Sequence, residues 1–346
     1  MTSRLEKIAH HAGVSKATVS RVLNEQPGVS DEFRGRVLSA LDVLGYERPT
    51  RLRPRSAGLI GLVVPELENP IFPLFAQVIG YGLSRQNYTP VLCVQTPDSV
   101  GEDEYVAMLL DRGVAGIIFV SGLHTDPALD HSRYRDLVAR RLPIVLVNGY
   151  LDDVDAPFIS CDNEAAGKLA VEHLVSLKHH RIALATGHTR HSPVNRQLEG
   201  YRAAMKTHCG GFDLVATSFF GVEGGYAAAM QLLSKDKEVS AIVCGSDLAA
   251  LGVIRAVRQR GRSVPGDVSV IGYDDSILMG FTDPPMTTIR QPALSMGATA
   301  VRMLMDEIHG HGAPRGESLF QPELVIRSST WSRSPASPEN PGLRSL

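Results

Sequence analysis

From residue 59 onward the chain repeats one pattern, a short apolar run of strand length followed by a longer stretch with helical spacing. Strand-like runs fall at 59–64, 90–94, 116–120 and 143–147, with helix-like stretches near 71–86, 102–112 and 133–140 between them. A second series has strands near 181–185, 215–220, 240–244 and 268–272 and helices near 163–177, 195–207, 224–234 and 247–260. This alternation is the strongest constraint on the fold, because parallel strands need crossover connections and the helices that make them cover both sheet faces. Two series predict two α/β lobes with parallel sheets.

The residues ahead of this body follow a different period. In 5–24, LEKIAHHAGVSKATVSRVLN, apolar Leu5, Ile8, Ala9 and Ala12 lie at i, i+3, i+4 and i+7, one face of a helix. Gly13 breaks that pattern, and Ser15 is suited to cap a second helix in which Val19, Val22 and Leu23 point inward. Lys16, Ala17, Ser20, Arg21 and Asn24 are left on its outer face. Ser30 is placed to cap a third helix, with Asp31 and Glu32 in its first turn, Phe33, Val37, Leu41 and Leu44 turned inward and Gly45 at its end. Two short helices on a glycine turn, the second offering hydrogen-bonding side chains, describe an all-α helix-turn-helix headpiece that reads DNA. A packed helix pair with a solvated polar face has the same periodicity.

Charge favours the DNA reading. Residues 1–58 hold ten Lys/Arg against six Asp/Glu, and the rest holds 25 against 31, an asymmetry hidden by the net charge of −2. A basic head on an acidic body suits a head that meets phosphates. Between them, 47–58 (ERPTRLRPRSAG) carries four arginines and two prolines and reads as a linker. Arg51, Arg53 and Arg55 can neutralise phosphates there, and Pro54 ends any helix at Arg53. The end of the chain, 332–346, is rich in Pro and Ser without periodicity and is expected to be disordered.

Other chemistry is sparse. The sequence has no G-x-S-x-G, no Walker loop, no H-E-x-x-H and no G-x-G-x-x-G after a strand, so no enzyme activity, cofactor or metal is expected. The four cysteines (Cys93, Cys161, Cys209, Cys244) lack metal spacing and are expected as free thiols, mostly buried. Adjacent histidines seldom share one metal, and both His10-His11 and His179-His180 are expected in solvent. With strand-sized apolar runs and a polar amphipathic start, the expected location is cytoplasmic.

Ligands of open α/β sheets lie beyond the carboxyl ends of the strands. Asn69 follows 59–64, Asp162 follows 158–160, Ser246 and Asp247 follow 240–244, and Asp274 and Asp275 follow 268–272. With Arg196 they form a set suited to sugar hydroxyls, and Phe72 and Phe220 can cover the apolar faces of a sugar ring. The candidate effector site is therefore Asn69, Phe72, Asp162, Arg196, Phe220, Asp247 and Asp274. Asp162, Ser246 and Asp275 serve equally well as helix N-caps, and Asn69 before Pro70 as a turn former.

AGVSKATVSRVLN, the later Val29-Ser30 and Gly45-Tyr46, and the body segments GLIGLVVP, ENPIFP, GVAGIIFVSG, SAIVCGSDLAALGVIRAVRQRG, VSVIGYDDS and MTTIRQP closely resemble the lactose-repressor/galactose-repressor (LacI/GalR) family of bacterial transcription regulators. The resemblance covers roughly residues 4–330. It implies a body like the periplasmic sugar-binding proteins, with 286–290 as one crossing between lobes, helix 293–309 on the first lobe and a strand near 319–327 returning to the second. The implied organisation is a headpiece 1–47, a hinge 48–58, and a two-lobed effector and dimerisation domain 59–331. Its first lobe spans about 59–160 and 291–318, and its second about 162–288 and 319–331.

By the same resemblance Lys16, Ala17 and Arg21 face bases, Ser15, Thr18, Ser20 and Asn24 hold phosphates, and Leu52 is the candidate minor-groove wedge of the hinge. Asp274 in G-Y-D and Arg196 ahead of E-G-Y match effector contacts. GYERP, RLRPRS, PELENPIFP, TPVLCVQTPDS, DRGVAGIIFVSGLH and APFIS look like a subgroup of actinobacterial regulators that includes repressors of maltose and maltodextrin utilisation. The implied function is a repressor of sugar-utilisation genes that binds a near-palindromic operator as a homodimer and answers a small-molecule effector, with an α-glucoside as the effector the subgroup suggests. The competing readings are a solute-binding protein of transport and an enzyme on the same doubly wound fold.

Overall fold

The computed structural model describes residues 3–24, 26–46, 56–95 and 101–333. Two compact units divide between Ala57 and Gly58.

The first unit is three helices: α1 (Arg4–Ala12), α2 (Lys16–Leu23) and α3 (Asp31–Val43). Each begins on a serine whose hydroxyl accepts from the first turn: Ser3 from Glu6 N, Ser15 from Thr18 N and Ser30 from Phe33 N. Glu6 reaches back to Ser3 N at 2.6 Å and completes a capping box. Gly13 ends α1 at φ 63°, a left-handed conformation that glycine adopts without Cβ strain. Ile8, Ala9, Ala12, Val19, Val22, Val37, Ala40 and Leu41 form the core. Leu5 and Phe33, expected in that core, remain 37% and 40% exposed. Phe33 lies in the first turn of α3, where the Arg36 guanidinium covers its ring at 5.7 Å. His10 and His11 are exposed on α1.

The second unit holds two six-stranded sheets. The first has the order β11-β5-β4-β3-β1-β2, built from β1 (Gly58–Val64), β2 (Tyr88–Val94), β3 (Gly116–Val120), β4 (Ile144–Val147), β5 (Pro157–Cys161) and β11 (Gly316–Phe320), all parallel. Alternation along the strands builds a core on each face. Ile60, Leu62 and Val64 meet α4 (Ile71–Arg85) and α11 (Ala293–Ile308), while Val63 turns to the opposite core with α5 (Glu102–Asp111) and α6 (Ser132–Ala139). Each large side chain fully buried this way, such as Phe75 or Phe119, contributes about 1.5–3 kcal/mol.

The second sheet has the order β12-β10-β9-β8-β6-β7. Its strands are β6 (Ile182–Thr186), β7 (Val215–Thr217), β8 (Ala241–Cys244), β9 (Ser269–Asp274), β10 (Thr287–Arg290) and the antiparallel edge strand β12 (Glu323–Val325). Helices α7 (Asn163–Ser176) and α8 (Ser192–His208) cover one face, α9 (Val222–Lys235) and α10 (Asp247–Gln259) the other. At Gly200 a Cβ would overlap the Glu164 carbonyl oxygen, so α8 and α7 touch backbone to backbone there.

The chain passes between lobes after β5, after β10 and after β11, at Asp162, Gln291-Pro292 and Gln321-Pro322. The expected crossing at 286–290 is instead a strand of the second sheet, with the passage just beyond it. The expected strand at 319–327 is two short strands, one in each sheet, and the run at 215–220 ends at Thr217. His179, expected in solvent, is 3% exposed; Ser240, Ser269 and the Trp331 carbonyl surround its ring and tie the last described segment to the second sheet. Cys93, Cys161 and Cys244 are buried, Cys209 is half-buried, and all four are free thiols. No helix among the described residues is long and apolar enough to cross a membrane. The expected disordered tail, apart from Ser332 and Arg333, and most of the linker with Leu52 lie outside the described residues.

Candidate DNA-reading helix and interlobe site

On α2 the buried residues Val19 and Val22 fix the helix against the core, which leaves Lys16, Ala17 and Arg21 exposed together. Lys16 pairs with Glu6, and this contact, ahead of the Ser3 backbone, holds the Glu6 carboxyl below its usual range. Ser15 Oγ is 2.9 Å from Thr18 Oγ1 while it accepts from Thr18 N. Ser20 Oγ accepts from Asn24 Nδ2 at 3.4 Å. The start of α2 thus presents hydroxyls and backbone N–H groups beside Lys16, the chemistry that holds phosphates, while Arg21 stands in its last turn.

In the second unit, Asp274 ends β9 with φ 115°, and Asp275 follows at φ 58°. Two positive values in succession are costly for non-glycine residues and persist only where surroundings impose them. Asp275 supplies that hold: its carboxylate meets Arg290 Nε and Arg327 Nη2, each at 2.7 Å. It is therefore an anchor rather than a helix cap. Asp274 reaches both lobes. Its Oδ1 accepts from Gln291 Nε2 at 2.6 Å and its Oδ2 from Asn69 Nδ2 at 3.2 Å. The Asn69 amide is oriented by Ile71 N, which donates to its Oδ1 at 3.3 Å. Burial, and then the charge of Asp247, push the Asp274 carboxyl well above the usual range.

Asp162 caps α7 by accepting from Ala165 N at 2.9 Å, and its other oxygen accepts from Gln321 Nε2 at 3.2 Å. Arg196, four residues before the close contact at Gly200, crosses to the first lobe and pairs with Glu317 of β11 at 2.6 Å. Phe220 is half exposed, its ring lying over Gly187 and 6.2 Å from that of His191. Phe72 rests partly on the first-lobe core beside Asn69. Asn69, Asp274, Asp162 and Arg196 thus gather where the lobes meet.

Asp247 does not join them. It is fully buried, accepts from Thr288 Oγ1 and Ser276 N at 2.7 Å each, and presents no surface to a ligand. Burial pushes its carboxyl up to about 6. Ser246 is the cap of α10, accepting from Ala249 N at 3.1 Å. Gln291, which is not among the expected site residues, belongs at this boundary, and two further polar residues stand at strand ends of the first lobe. Gln291 bonds Asp274, while Asn148 Oδ1 and Ser160 Oγ, at the carboxyl ends of β4 and β5, are buried without a hydrogen-bond partner among the described residues. All three are polar groups at strand ends, the same signal that singled out Asn69.

Residues 4–49 match the model of bacterial regulatory proteins of the lacI family, and residues 171–330 that of a periplasmic binding protein-like domain. The HTH-type transcriptional regulator reg1 of Streptomyces lividans is 58% identical, over 96% of this chain and 98% of its own. The HTH-type transcriptional regulator MalR of Streptomyces coelicolor is 57% identical over 96% and 98%. Among solved structures, a complex of the transcriptional regulator CelR with cellobiose has a TM-score of 0.70 at 30% identity, covering 94% of this chain and 99% of that one. The lac repressor dimer bound to operator and an anti-inducer has a TM-score of 0.68 at 28% identity, over 96% and 100%. A helix-turn-helix headpiece joined to a two-lobed binding body, with this identity over nearly the full length, makes the chain a transcriptional regulator of the lacI family.

Proposed function

We propose that this regulator represses sugar-utilisation genes, holds a near-palindromic operator as a homodimer, and answers an α-glucoside of the maltose type bound between its lobes. The observation that carries the effector reading is Asp274, a residue on strained backbone whose carboxyl is shared by Asn69 of one lobe and Gln291 of the crossing. With Arg196, Asp162, Asn148 and Ser160 it supplies acceptors and donors suited to ring hydroxyls, and Phe220 a face for the ring's C–H groups. The likeness to MalR and to a cellobiose-bound regulator supports a sugar.

In the headpiece, Lys16, Ala17 and Arg21 read base edges, Arg21 by bonding both acceptors of a guanine, while Ser15, Thr18, Ser20 and Asn24 position phosphates. Leu52 is proposed as the hinge wedge. A second copy of the chain covers Ile277, Leu278 and Phe281, which stand 82%, 61% and 85% exposed on one turn.

Thermal shift of the full chain with maltose, cellobiose and glucose, repeated on a near-palindromic operator library, tests the reading. A maltose concentration a hundredfold above Kd adds about 2.7 kcal/mol to the body and alters operator retention. No shift with any of the three sugars overturns the effector assignment, and no selected operator overturns the headpiece roles.

A further inference from the structure

The lobes also meet at a second place, outside the residues assigned to the sugar. After β3 the chain turns through 123–125, and buried groups hold this turn rigidly. Leu123 N donates to Glu102 Oε2 at 3.0 Å, and His124 N to the Tyr134 hydroxyl at 3.0 Å, which itself donates to Glu102 Oε1. The His124 ring donates from Nε2 to the Val147 carbonyl at 3.0 Å. At the end of the turn, Thr125 is 5% exposed and gives its hydroxyl proton to the Gly122 carbonyl at 3.0 Å.

A hydroxyl has one proton, so the Thr125 oxygen is left as an acceptor. Nδ1 of His191, on the other lobe, stands 3.0 Å from it. The proton of that ring therefore sits on Nδ1, which donates across the boundary. Next to this bond, Arg190 Nε of the second lobe lies 3.6 Å from Asp126 Oδ2 of the first. The Asp126 carboxylate is itself held by Ala128 N at 3.1 Å. His191 immediately precedes α8, the helix that carries Arg196, and its ring packs on Phe220.

We propose that the Thr125–His191 bond, with Asp126–Arg190 beside it, is an interlobe latch that sets how often the two lobes close. Its first-lobe half is a preformed acceptor on a fixed turn, so forming the bond orders little besides the histidine ring. Because neither partner belongs to the sugar-facing set, the latch biases closure ahead of ligand binding, and it places the start of α8 and the Phe220 face for that binding. His191 is in this sense a positioning residue. The link to binding rests on the sugar reading of Phe220, whereas the latch itself does not.

The test reads lobe separation directly, without ligand, so that its failure is distinct from failure of the sugar assignment. Spin labels at Arg112→Cys and Lys206→Cys, in a Cys209→Ser background, report the interlobe distance by pulsed electron resonance. Labelled chains are diluted into unlabelled chain so that each assembly carries one labelled pair. Thr125→Val removes the acceptor and keeps the shape; the open fraction rises about fivefold, the loss of one net hydrogen bond. Thr125→Ser restores the original distribution. His191→Phe, which keeps a ring against Phe220, matches Thr125→Val, and the double variant opens no further than either. An unchanged distribution in Thr125→Val and His191→Phe overturns the latch, as does equal opening by Thr125→Val and Thr125→Ser, which would make the site one of packing alone.

Discussion

Asp274 is bonded at each oxygen by an amide N–H, one from Asn69 and one from Gln291. Asp274→Asn keeps the shape but sets an N–H donor against one of those donors. A buried donor left unpaired costs about 1–3 kcal/mol, so maltose affinity should fall roughly ten- to a hundredfold in titration calorimetry. Operator affinity without sugar should stay within about 0.5 kcal/mol, since the substitution leaves every headpiece residue unchanged. Undiminished maltose affinity would remove Asp274 from the site. At the other functional surface, Arg21→Ala should cost about 1–3 kcal/mol on a selected operator, with a smaller loss on random DNA. Equal losses on both, measured by gel shift, would make Arg21 a phosphate contact.

At the scale of elements, two glycines in helices carry opposite expectations. Gly35 lies in α3 with open space where a Cβ would go, so Gly35→Ala should raise headpiece stability by about 0.5–1 kcal/mol. Gly200→Ala would drive a methyl into the Glu164 carbonyl, part α8 from α7 and lower the melting temperature of the body by many degrees. Calorimetric melts of both variants check the pair; a neutral Gly200→Ala would mean that the helices can separate without loss. The helices and most central strands are legible because each buries an apolar face with its own period; β10, inside the second sheet, is the exception, since its run Thr287-Thr288-Ile289-Arg290 is mostly polar. The edge strands β11 and β12 were read as one, since they are short and carry no regular alternation, and Leu319 in β11 is 51% exposed. The position after a strand signals a ligand group, a cap or a buried anchor alike. Asp247 became distinguishable only through Thr288, 41 residues away, and Asp275 through Arg290 and Arg327. Gln291 directly follows β10, but the sequence reads 286–290 as a crossing rather than a strand, so its strand-end position and its bond to Asp274 emerge only in three dimensions.

Across the whole molecule, buried titratable groups pull stability in opposite directions with pH. The Asp247 carboxyl, raised to about 6, costs stability at neutral pH that is recovered as pH falls through 6 toward its ordinary 3.8. His124 acts the other way. Its ring is 1% exposed, its Nδ1 has no partner among the described residues, and burial lowers it from 6.5 to about 4. Below pH 6.5 the unfolded chain gains a proton there that the folded chain refuses, so stability is complete above 6.5 and is lost as pH falls toward 4. Between pH 7 and 5 this amounts to about 2 kcal/mol, at roughly 1.4 kcal/mol per unit. His124→Gln keeps an N–H for the Val147 carbonyl and removes the titration, while Asp247 contributes equally to both proteins. Denaturant unfolding of the wild type and the variant at pH 7 and 5 isolates the difference. The wild type should lose about 2 kcal/mol more than His124→Gln over that interval. Parallel losses would mean that His124 takes up its proton in the folded body, and that the turn carrying Thr125 yields on acidification.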